Sequence, residues 1–162
     1  MVIFETEKAN YAVLICYESA FPGFVRDAIL DGAELLVNIT NDTWFGRSPG
    51  PYQHMRFAVF RAIENRVWLA RCANSGISAL IDPYGREIEK AGLYVQSVIS
   101  GNIKPLSEKS TFTRIGKKSG GLIPIFRKIQ TENKKRQNQT EVRNIKLISC
   151  NCPCPAVICN TI

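Results

Sequence analysis

Tyr11-Ala-Val-Leu-Ile-Cys-Tyr-Glu-Ser-Ala-Phe-Pro22 is the stretch that decides the fold of this chain. Its first five residues are mostly apolar, which is typical of a strand buried on both faces. A thiol, an aromatic ring and a carboxylate follow at once, and Ser19 and Pro22 indicate the start of a helix. We therefore expect a strand over residues 11–17 that carries Cys16 at its tip, where a covalent nucleophile could act. In the alternative interpretation Cys16 is an inert, buried hydrophobic residue.

Strand and helix patterns alternate downstream of this stretch. Phe24, Val25, Ala28 and Ile29 recur at helical spacing, and Gly32 is suited to end that helix. The next elements are predicted as a buried strand at 34–39, a helix at 51–65 with Met55, Ala58, Val59 and Ala62 on its apolar face, and a third strand at 67–73.

A hairpin pattern closes the ordered part of the sequence. Asp82-Pro-Tyr-Gly85 has proline and glycine at the positions that a β-turn favours, and it separates strand-like residues 77–81 from 86–89. Residues 94–103 read as a final strand. The order of these elements predicts an α/β domain with a mixed β-sheet and helices on one face.

Length and composition are those of a globular domain. The chain has 162 residues, 45% of them hydrophobic and 22% charged, which is enough for one domain with a real core. No apolar run approaches the ~20 residues that a membrane-spanning helix needs. Residues 1–7 lack the basic-then-apolar order of a signal peptide, so the sequence predicts neither membrane insertion nor export of this chain.

Charge is distributed unevenly along the chain. Residues 1–103 hold nine basic and eleven acidic side chains, whereas residues 104–146 hold twelve basic and three acidic ones. We therefore predict a folded domain over 1–103 and a basic, cysteine-containing, largely disordered tail over 104–162. The alternative is a basic module that binds nucleic acid or anionic membrane. No nucleic-acid motif appears in the tail, so we expect no nucleic-acid partner.

Cysteines fall into two groups. Cys16 and Cys72 lie in apolar, strand-like runs, and Cys72 is expected in the core. The remaining cysteines crowd the C-terminus at positions 150, 152, 154 and 159. Zinc sites favour cysteine pairs two to four residues apart with a distant second pair, which this spacing does not match. We expect no metal and no cofactor; a metal or disulfide role for these cysteines is the weaker alternative.

Several motifs resemble one known family. Residues 10–103 are similar to the C-terminal half of a carbon–nitrogen hydrolase (nitrilase) domain and, within that superfamily, to the apolipoprotein N-acyltransferases. The motifs that carry the resemblance are Ile15-Cys-Tyr-Glu-Ser-Ala-Phe-Pro22, Asn41-Asp-Thr-Trp-Phe-Gly46 with the strand before it, Pro51-Tyr-Gln-His54, Arg61-Ala-Ile-Glu-Asn-Arg66, Ala73-Asn-Ser-Gly-Ile-Ser78 and Asp82-Pro-Tyr-Gly85.

This resemblance implies a fold and a reaction. The superfamily has a four-layer α-β-β-α sandwich, of which this chain would form an incomplete part, and a Glu-Lys-Cys triad in which Cys16 is the cysteine. In the acyltransferases the cysteine takes a fatty acyl group from a phospholipid as a thioester. It passes that group to the N-terminal cysteine amine of a lipoprotein. Such an enzyme belongs to the bacterial inner (cell) membrane, with its catalytic domain on the periplasmic side.

The same resemblance implies roles for Tyr17 and Glu18, and the position of a loop near the strand ends suggests a role for Trp44 and Phe45. The backbone N–H of Tyr17 would lie in the oxyanion hole, and Glu18 matches a further active-site carboxylate. The alternative for Glu18 is an acid at a helix start, where the helix dipole favours it. Trp44 and Phe45 are candidates to line an acyl-chain pocket; alternatively they only pack the loop.

His54 is the only histidine in the chain, which raises the possibility of a Cys–His pair. We do not favour that pair, because the family uses Glu and Lys and because His54 lies at a predicted helix start. Asn41 and Asp42 are expected to cap and shape their loop rather than to act chemically.

The chain also departs from the family pattern. Only fifteen residues precede Cys16, and Glu5, Glu7 and Lys8 are too close to the strand to replace the upstream Glu and Lys of the triad. The family's membrane-spanning segments have no counterpart. The sequence therefore predicts a fragment of an acyltransferase that is inactive alone. Two alternatives remain: a soluble amidase or nitrilase that cleaves small amides, and the non-enzymatic basic module.

Overall fold

The computed structural model describes residues 1–106 and 108–116 in full, and the backbone of two further strands at 143–149 and 158–159. The helices are α1 (Pro22–Leu30), α2 (Gly50–Asn65) and α3 (Thr111–Ile115), and short 3₁₀ turns span Cys16–Ala20 and Thr43–Phe45. The strands are β1 (Ile3–Phe4), β2 (Tyr11–Ile15), β3 (Leu35–Thr40), β4 (Trp68–Ala73), β5 (Ser78–Ile81), β6 (Glu87–Ala91), β7 (Ser97–Ile103), β8 (Arg143–Ser149) and β9 (Ile158–Cys159).

The first sheet has the order β1-β2-β3-β4-β5-β6. β2, β3 and β4 run parallel because α1 and α2 connect them, while β1, β5 and β6 pair antiparallel. A second, antiparallel sheet has the order β7-β8-β9. The mixed sheet with helices that the sequence predicts is therefore confirmed.

Each face of the first sheet has its own apolar core. Alternate residues of β2, β3 and β4, such as Leu14, Leu36 and Leu69, face α1 and α2 and pack on their buried residues. The intervening residues, such as Val37 and Ala70, pack on the other face with Ile99 and Ile103 of β7. The apolar set predicted for α2 is buried as expected: Met55, Ala58, Val59 and Ala62.

Strand β2 is shorter than predicted. It ends at Ile15 rather than at residue 17, because Cys16 has a φ of +49° and an extended strand cannot continue through that conformation. Cys16 and Glu18 instead belong to the 3₁₀ turn that leads into α1. The hairpin prediction is confirmed, since Gly85 closes the turn by donating to the Asp82 carbonyl at 2.9 Å.

The predicted tail over 104–162 is covered only in part. Helix α3 begins where the Ser110 hydroxyl accepts a hydrogen bond from the Thr113 N–H, a cap that the fading apolar pattern does not reveal. Strand β8 pairs with β7 over its whole length. The expectation of disorder concerns residues that mostly lie outside the described ranges, as do Cys150, Cys152 and Cys154. Within the described ranges no helix is long and apolar enough to cross a membrane.

Candidate functional site

Cys16 lies at the carboxyl end of β2, on the first residue of the 3₁₀ turn. Its φ of +49° is in the left-handed region, which costs a residue with a side chain about 1–3 kcal/mol and is concentrated at functional sites. The residue is partly exposed rather than enclosed in the core. Cys16 therefore combines a strained backbone with partial exposure, as the nucleophile interpretation requires.

Hydrogen bonds to the Cys16 carbonyl oxygen hold the turn in this conformation. The Asn38 amide donates to that oxygen at 3.3 Å, the Ser19 hydroxyl donates at 3.3 Å, and His54 Nε2 lies 3.1 Å away. Each such bond contributes about 1 kcal/mol. Together they offset the backbone strain at Cys16.

A buried polar network, formed by Asn38, Asp42, His54 and Arg71, lies beneath the turn. Each of these residues is at most 1% exposed. His54 Nδ1 lies 2.8 Å from Asp42 Oδ1, and the Arg71 guanidinium donates to Asp42 Oδ2 at 2.8 Å and also to the Asn38 side-chain oxygen. The network thus links β3, the loop after it, α2 and β4 to the Cys16 backbone.

Electrostatics keeps the acid of this network ionised. Burial by itself raises the pKa of the Asp42 carboxyl, but the His54 hydrogen bond and the Arg71 charge outweigh burial, so the pKa lies below its ordinary value. Burial lowers the pKa of the Arg71 guanidinium, and the opposite charge of Asp42 counteracts part of that effect. Asp42 and Arg71 therefore form a buried, hydrogen-bonded ion pair.

Tyr17 and Glu18 both belong to the 3₁₀ turn that begins at Cys16. Tyr17 is 47% exposed, and its ring stacks on the His54 ring with 4.8 Å between centroids. Glu18 Oε2 accepts a hydrogen bond from the Ile15 N–H at 2.7 Å, so its carboxylate contacts the backbone at the start of the 3₁₀ turn. The catalytic roles expected for these two residues stay predictions.

Trp44 and Phe45 lie on the second 3₁₀ turn and differ in their surroundings. Trp44 is 89% exposed. Phe45 packs edge-on against the His54 ring, with 6.1 Å between centroids. Phe45 therefore packs its loop against the network, and the acyl-chain pocket expected for both rings stays a prediction.

Two members of the network escape sequence-based reasoning. Asn38 and Arg71 each interrupt an otherwise apolar strand, Leu35–Thr40 and Trp68–Ala73. A polar residue buried in the middle of a strand is costly unless it is hydrogen-bonded, so each interruption is a detectable signal. The sequence predicts a loop-shaping role for Asp42 and singles out His54 as the only histidine, but it does not predict that either supports the Cys16 backbone.

Acidic and basic residues before β2 lie away from Cys16. Glu5, Glu7 and Lys8 precede β2, whereas Cys16 follows its other end. Strand β2 therefore separates these three residues from Cys16. Among the residues that the structure describes, no group of three or more His, Cys, Asp or Glu side chains could hold a metal ion.

The sequence of the chain matches a known family. The carbon–nitrogen hydrolase family model matches residues 1–111. The apolipoprotein N-acyltransferase of Geobacter metallireducens is 44% identical over 112 residues, which are 69% of this chain and 22% of that protein. The enzyme of the same name from Rickettsia bellii is 46% identical over 114 residues, which are 70% of this chain and 23% of that protein. The chain thus spans less than a quarter of the length of these relatives.

Two solved structures resemble part of this chain. Nit3 of Saccharomyces cerevisiae, a member of branch 10 of the nitrilase superfamily, has a TM-score of 0.49 and 24% identity, with 57% of this chain and 37% of that one covered. An amidase from Nesterenkonia sp. AN1, in which the acetamide moiety of fluoroacetamide is attached to the active-site cysteine, has a TM-score of 0.46 and 24% identity. There too 57% of this chain and 37% of that one are covered.

Proposed function

Because the chain belongs to the carbon–nitrogen hydrolase family, we propose that it carries the nucleophile-bearing part of an apolipoprotein N-acyltransferase. The observation that carries this proposal is Cys16, held at a left-handed turn by hydrogen bonds to its carbonyl oxygen. Identities of 44% and 46% with acyltransferases from two bacteria support it. The substrates and partners below belong to the whole enzyme, of which this chain supplies one part.

The proposed reaction has two transfers at one sulfur atom. The Cys16 thiolate attacks the ester carbonyl of a phospholipid, the carbon–oxygen bond breaks, and the leaving alkoxide takes a proton to form a lysophospholipid. The N-terminal amine of a lipoprotein cysteine then attacks the thioester. The carbon–sulfur bond breaks, an amide forms, and the amine proton passes to a base as the thiolate is regenerated. No redox step and no cofactor is needed.

Residues beside Cys16 have proposed roles in each transfer. The Tyr17 N–H stabilises the oxyanion of the tetrahedral intermediate, where one fixed donor contributes about 3 kcal/mol. Glu18 orients the attacking amine or takes part in proton transfer. Trp44, with its exposed ring, and Phe45 contact the acyl chain. The triad Glu and Lys that the family resemblance implies would come from the rest of the enzyme.

The proposed setting is the bacterial inner membrane, where both substrates reside. The phospholipid and the lipoprotein carry acyl chains in the bilayer, so a catalytic domain on the periplasmic side would meet both at the membrane surface. This proposal requires the complete enzyme to be membrane-bound; it does not require a spanning helix among the described residues.

A segment exchange tests the proposal in a complete enzyme. Residues 1–111 replace the matching segment of the Geobacter metallireducens relative, and membranes containing the chimera receive a phospholipid with a radiolabelled acyl chain. We expect a hydroxylamine-sensitive label on the chimera and its transfer to a diacylated lipopeptide. Cys16→Ser should abolish both signals, whereas Cys72→Ser, at a buried cysteine of β4, should retain them.

Two results would contradict the proposal. In the first, the chimera is made and membrane-bound but acquires label independently of Cys16. In the second, the chimera transfers no acyl group to the lipopeptide but hydrolyses small amides through Cys16. The second result would instead support the amidase alternative, in which water is the acceptor.

A further inference from the structure

His54 is fully buried and has a hydrogen-bond acceptor at each ring nitrogen. Nδ1 lies 2.8 Å from Asp42 Oδ1, and Nε2 lies 3.1 Å from the Cys16 carbonyl oxygen. The ring orientation is fixed from its faces and edges by aromatic packing with Tyr17, Phe45 and Phe57. These contacts are made through aromatic rings, whereas Asp42 and the Cys16 carbonyl are the hydrogen-bond partners of the two ring nitrogens.

We propose that His54 is a positioning residue: a doubly protonated, positively charged imidazolium that clamps the nucleophile turn by donating to Asp42 and to the Cys16 carbonyl. The inference rests on the proposed function only in treating Cys16 as the nucleophile. It differs from the Cys–His pair considered from the sequence, because His54 contacts the Cys16 backbone and acts through it.

Neither neutral form of the ring satisfies this geometry. A ring protonated only at Nε2 would turn the Nδ1 lone pair toward the Asp42 carboxylate. A ring protonated only at Nδ1 would turn the Nε2 lone pair toward the Cys16 carbonyl oxygen. Backbone carbonyls are acceptors only, and an ionised carboxylate likewise only accepts. A carboxyl proton on Asp42 would relieve the first conflict, but the pKa of Asp42 lies below its ordinary value.

The charge count gives this imidazolium a consequence. Arg71 and Asp42 neutralise each other as an ion pair at 2.8 Å, so the His54 charge is the net charge of the buried polar network. That charge lies 3.1 Å from the Cys16 carbonyl, in surroundings of low polarity where electrostatic effects are strong. A positive charge at this position would favour negative charge that develops close to the Cys16 turn during the reaction.

A spectrum of the whole chain tests the protonation state directly. Because the chain has one histidine, labelling with ¹⁵N-histidine gives signals from His54 alone. We expect two ring N–H signals and two imidazolium-type nitrogen shifts at neutral pH. One protonated nitrogen and one pyridine-type nitrogen would overturn the inference, whether or not the enzyme transfers acyl groups.

Site-specific thiol reactivity tests the positioning role. Iodoacetamide alkylates the thiolate, and mass spectrometry of the tryptic peptide 9–26 follows Cys16 alone, since that peptide holds a single cysteine. His54→Phe keeps an aromatic ring on Tyr17 but removes both donors. We expect alkylation about fivefold slower, equivalent to about 1 kcal/mol at 1.4 kcal/mol per factor of ten.

Thr113→Val is the matched control. It removes a fully buried hydroxyl that donates to Asn65 at 2.9 Å, and Thr113 lies on α3, which is not part of the Cys16 turn. Both variants lose two side-chain hydrogen bonds, so both should lower the melting temperature, but only His54→Phe should slow Cys16 alkylation. Equal alkylation rates in the two folded variants would overturn the positioning role.

A third measurement needs no substitution. If His54→Phe fails to fold, carbamidomethylated wild-type chain is compared with unmodified chain by the same ¹⁵N-histidine spectrum. If His54 clamps the turn, modification of Cys16 should change the chemical shift of the Nε2–H signal more than that of the Nδ1–H signal. Unchanged ring signals would contradict the clamp. None of these readouts uses an acyl donor, so failure of the proposed reaction and failure of this inference are distinguishable.

Discussion

Asn38 and Arg71 occupy partner positions on the parallel strands β3 and β4, and the Arg71 guanidinium donates a hydrogen bond to the Asn38 side-chain oxygen. The Asn38 amide nitrogen in turn donates to the carbonyl oxygens of Leu14 and Cys16, at 3.0 and 3.3 Å. This pair therefore fixes the position of the Cys16 backbone relative to strands β3 and β4.

Arg71→Met should strongly destabilise the fold. Its removal leaves the Asp42 carboxylate buried without its ion-pair partner, and breaking a buried pair in this way costs about 3–5 kcal/mol. Arg56→Met is the control, because Arg56 is 67% exposed in its side chain and pairs with Glu87 at only 3.8 Å, which is worth about 1 kcal/mol or less. Urea unfolding of the two variants measures the difference. A loss at Arg71 as small as that at Arg56 would contradict the role of the network.

Backbone strain at Cys16 predicts an inverted order of two small substitutions. With φ at +49°, Cys16→Gly should be about 1 kcal/mol more stable than Cys16→Ala, because glycine adopts this conformation without steric cost. At Cys72, buried in β4, the order should reverse, with glycine about 0.5–1 kcal/mol less stable than alanine. Thermal unfolding of the four variants checks both signs. If Cys16→Ala were at least as stable as Cys16→Gly, the left-handed turn would not be strained.

Asp42 should make stability fall in acid. Its pKa in the folded state lies below its ordinary value of 3.8, so its contribution is complete above pH 3.8 and is lost as the pH falls through the folded pKa. Asp42→Asn should therefore be less stable than wild type at neutral pH, and the gap should narrow below pH 3.8. Urea unfolding at a series of pH values measures the gap. Asp27→Asn, at an exposed ion pair, is the control, with a difference of about 0.5 kcal/mol or less throughout. A gap at Asp42 that does not change with pH would contradict the assignment.

Much of this fold is predictable from periodicity. The strands at 34–39 and 67–73 and the helix at 51–65 differ from the observed elements by about one residue, because continuous apolar runs and a helical apolar face leave few alternatives. The predicted end of β2, at residue 17, lies two residues beyond the observed end at Ile15. Nothing in Ile-Cys-Tyr reveals that Cys16 takes a positive φ, since that conformation depends on donors from Asn38 and His54, far along the chain.

In the candidate site too, local features are predictable from the sequence and long-range contacts are not. Cys16 is identifiable because its motif is local, and Glu18 is close enough in sequence for its contact with Ile15 to be expected. His54, which contacts the Cys16 backbone, lies 38 positions from Cys16 in the sequence. Asn38 and Arg71, which also contact each other, lie 33 positions apart. Side chains so far apart meet only once the sheet has formed, so sequence reasoning could flag Arg71 as unusual but could not give its partner.

Truncation to alanine should destabilise the fold far less at Trp44 than at Trp68. Trp44 is 89% exposed, so Trp44→Ala should change the free energy of unfolding by about 0.5 kcal/mol or less. Trp68 packs against the apolar core on the β7 side of the first sheet, so Trp68→Ala should cost about 2 kcal/mol or more. In the chimeric enzyme, Trp44→Ala should weaken acyl transfer from the phospholipid if the ring contacts the acyl chain. Full transfer activity in that variant would leave Trp44 without the proposed role.

Gly76 should resist even a single added methyl group. A Cβ at Gly76 would lie 2.7 Å from Asp42 Cβ and closer still to Oδ2, so Gly76→Ala must displace the carboxylate that bonds His54 and Arg71. We expect a loss of about 2 kcal/mol or more, together with slower Cys16 alkylation. Gly23→Ala is the control: nothing lies within 4 Å of its Cβ position in α1, so it should be neutral or stabilising by up to about 1 kcal/mol. Unfolding and peptide-resolved alkylation measure both effects. If Gly76→Ala matched Gly23→Ala in both, Asp42 would not be the fixed point on which the site depends.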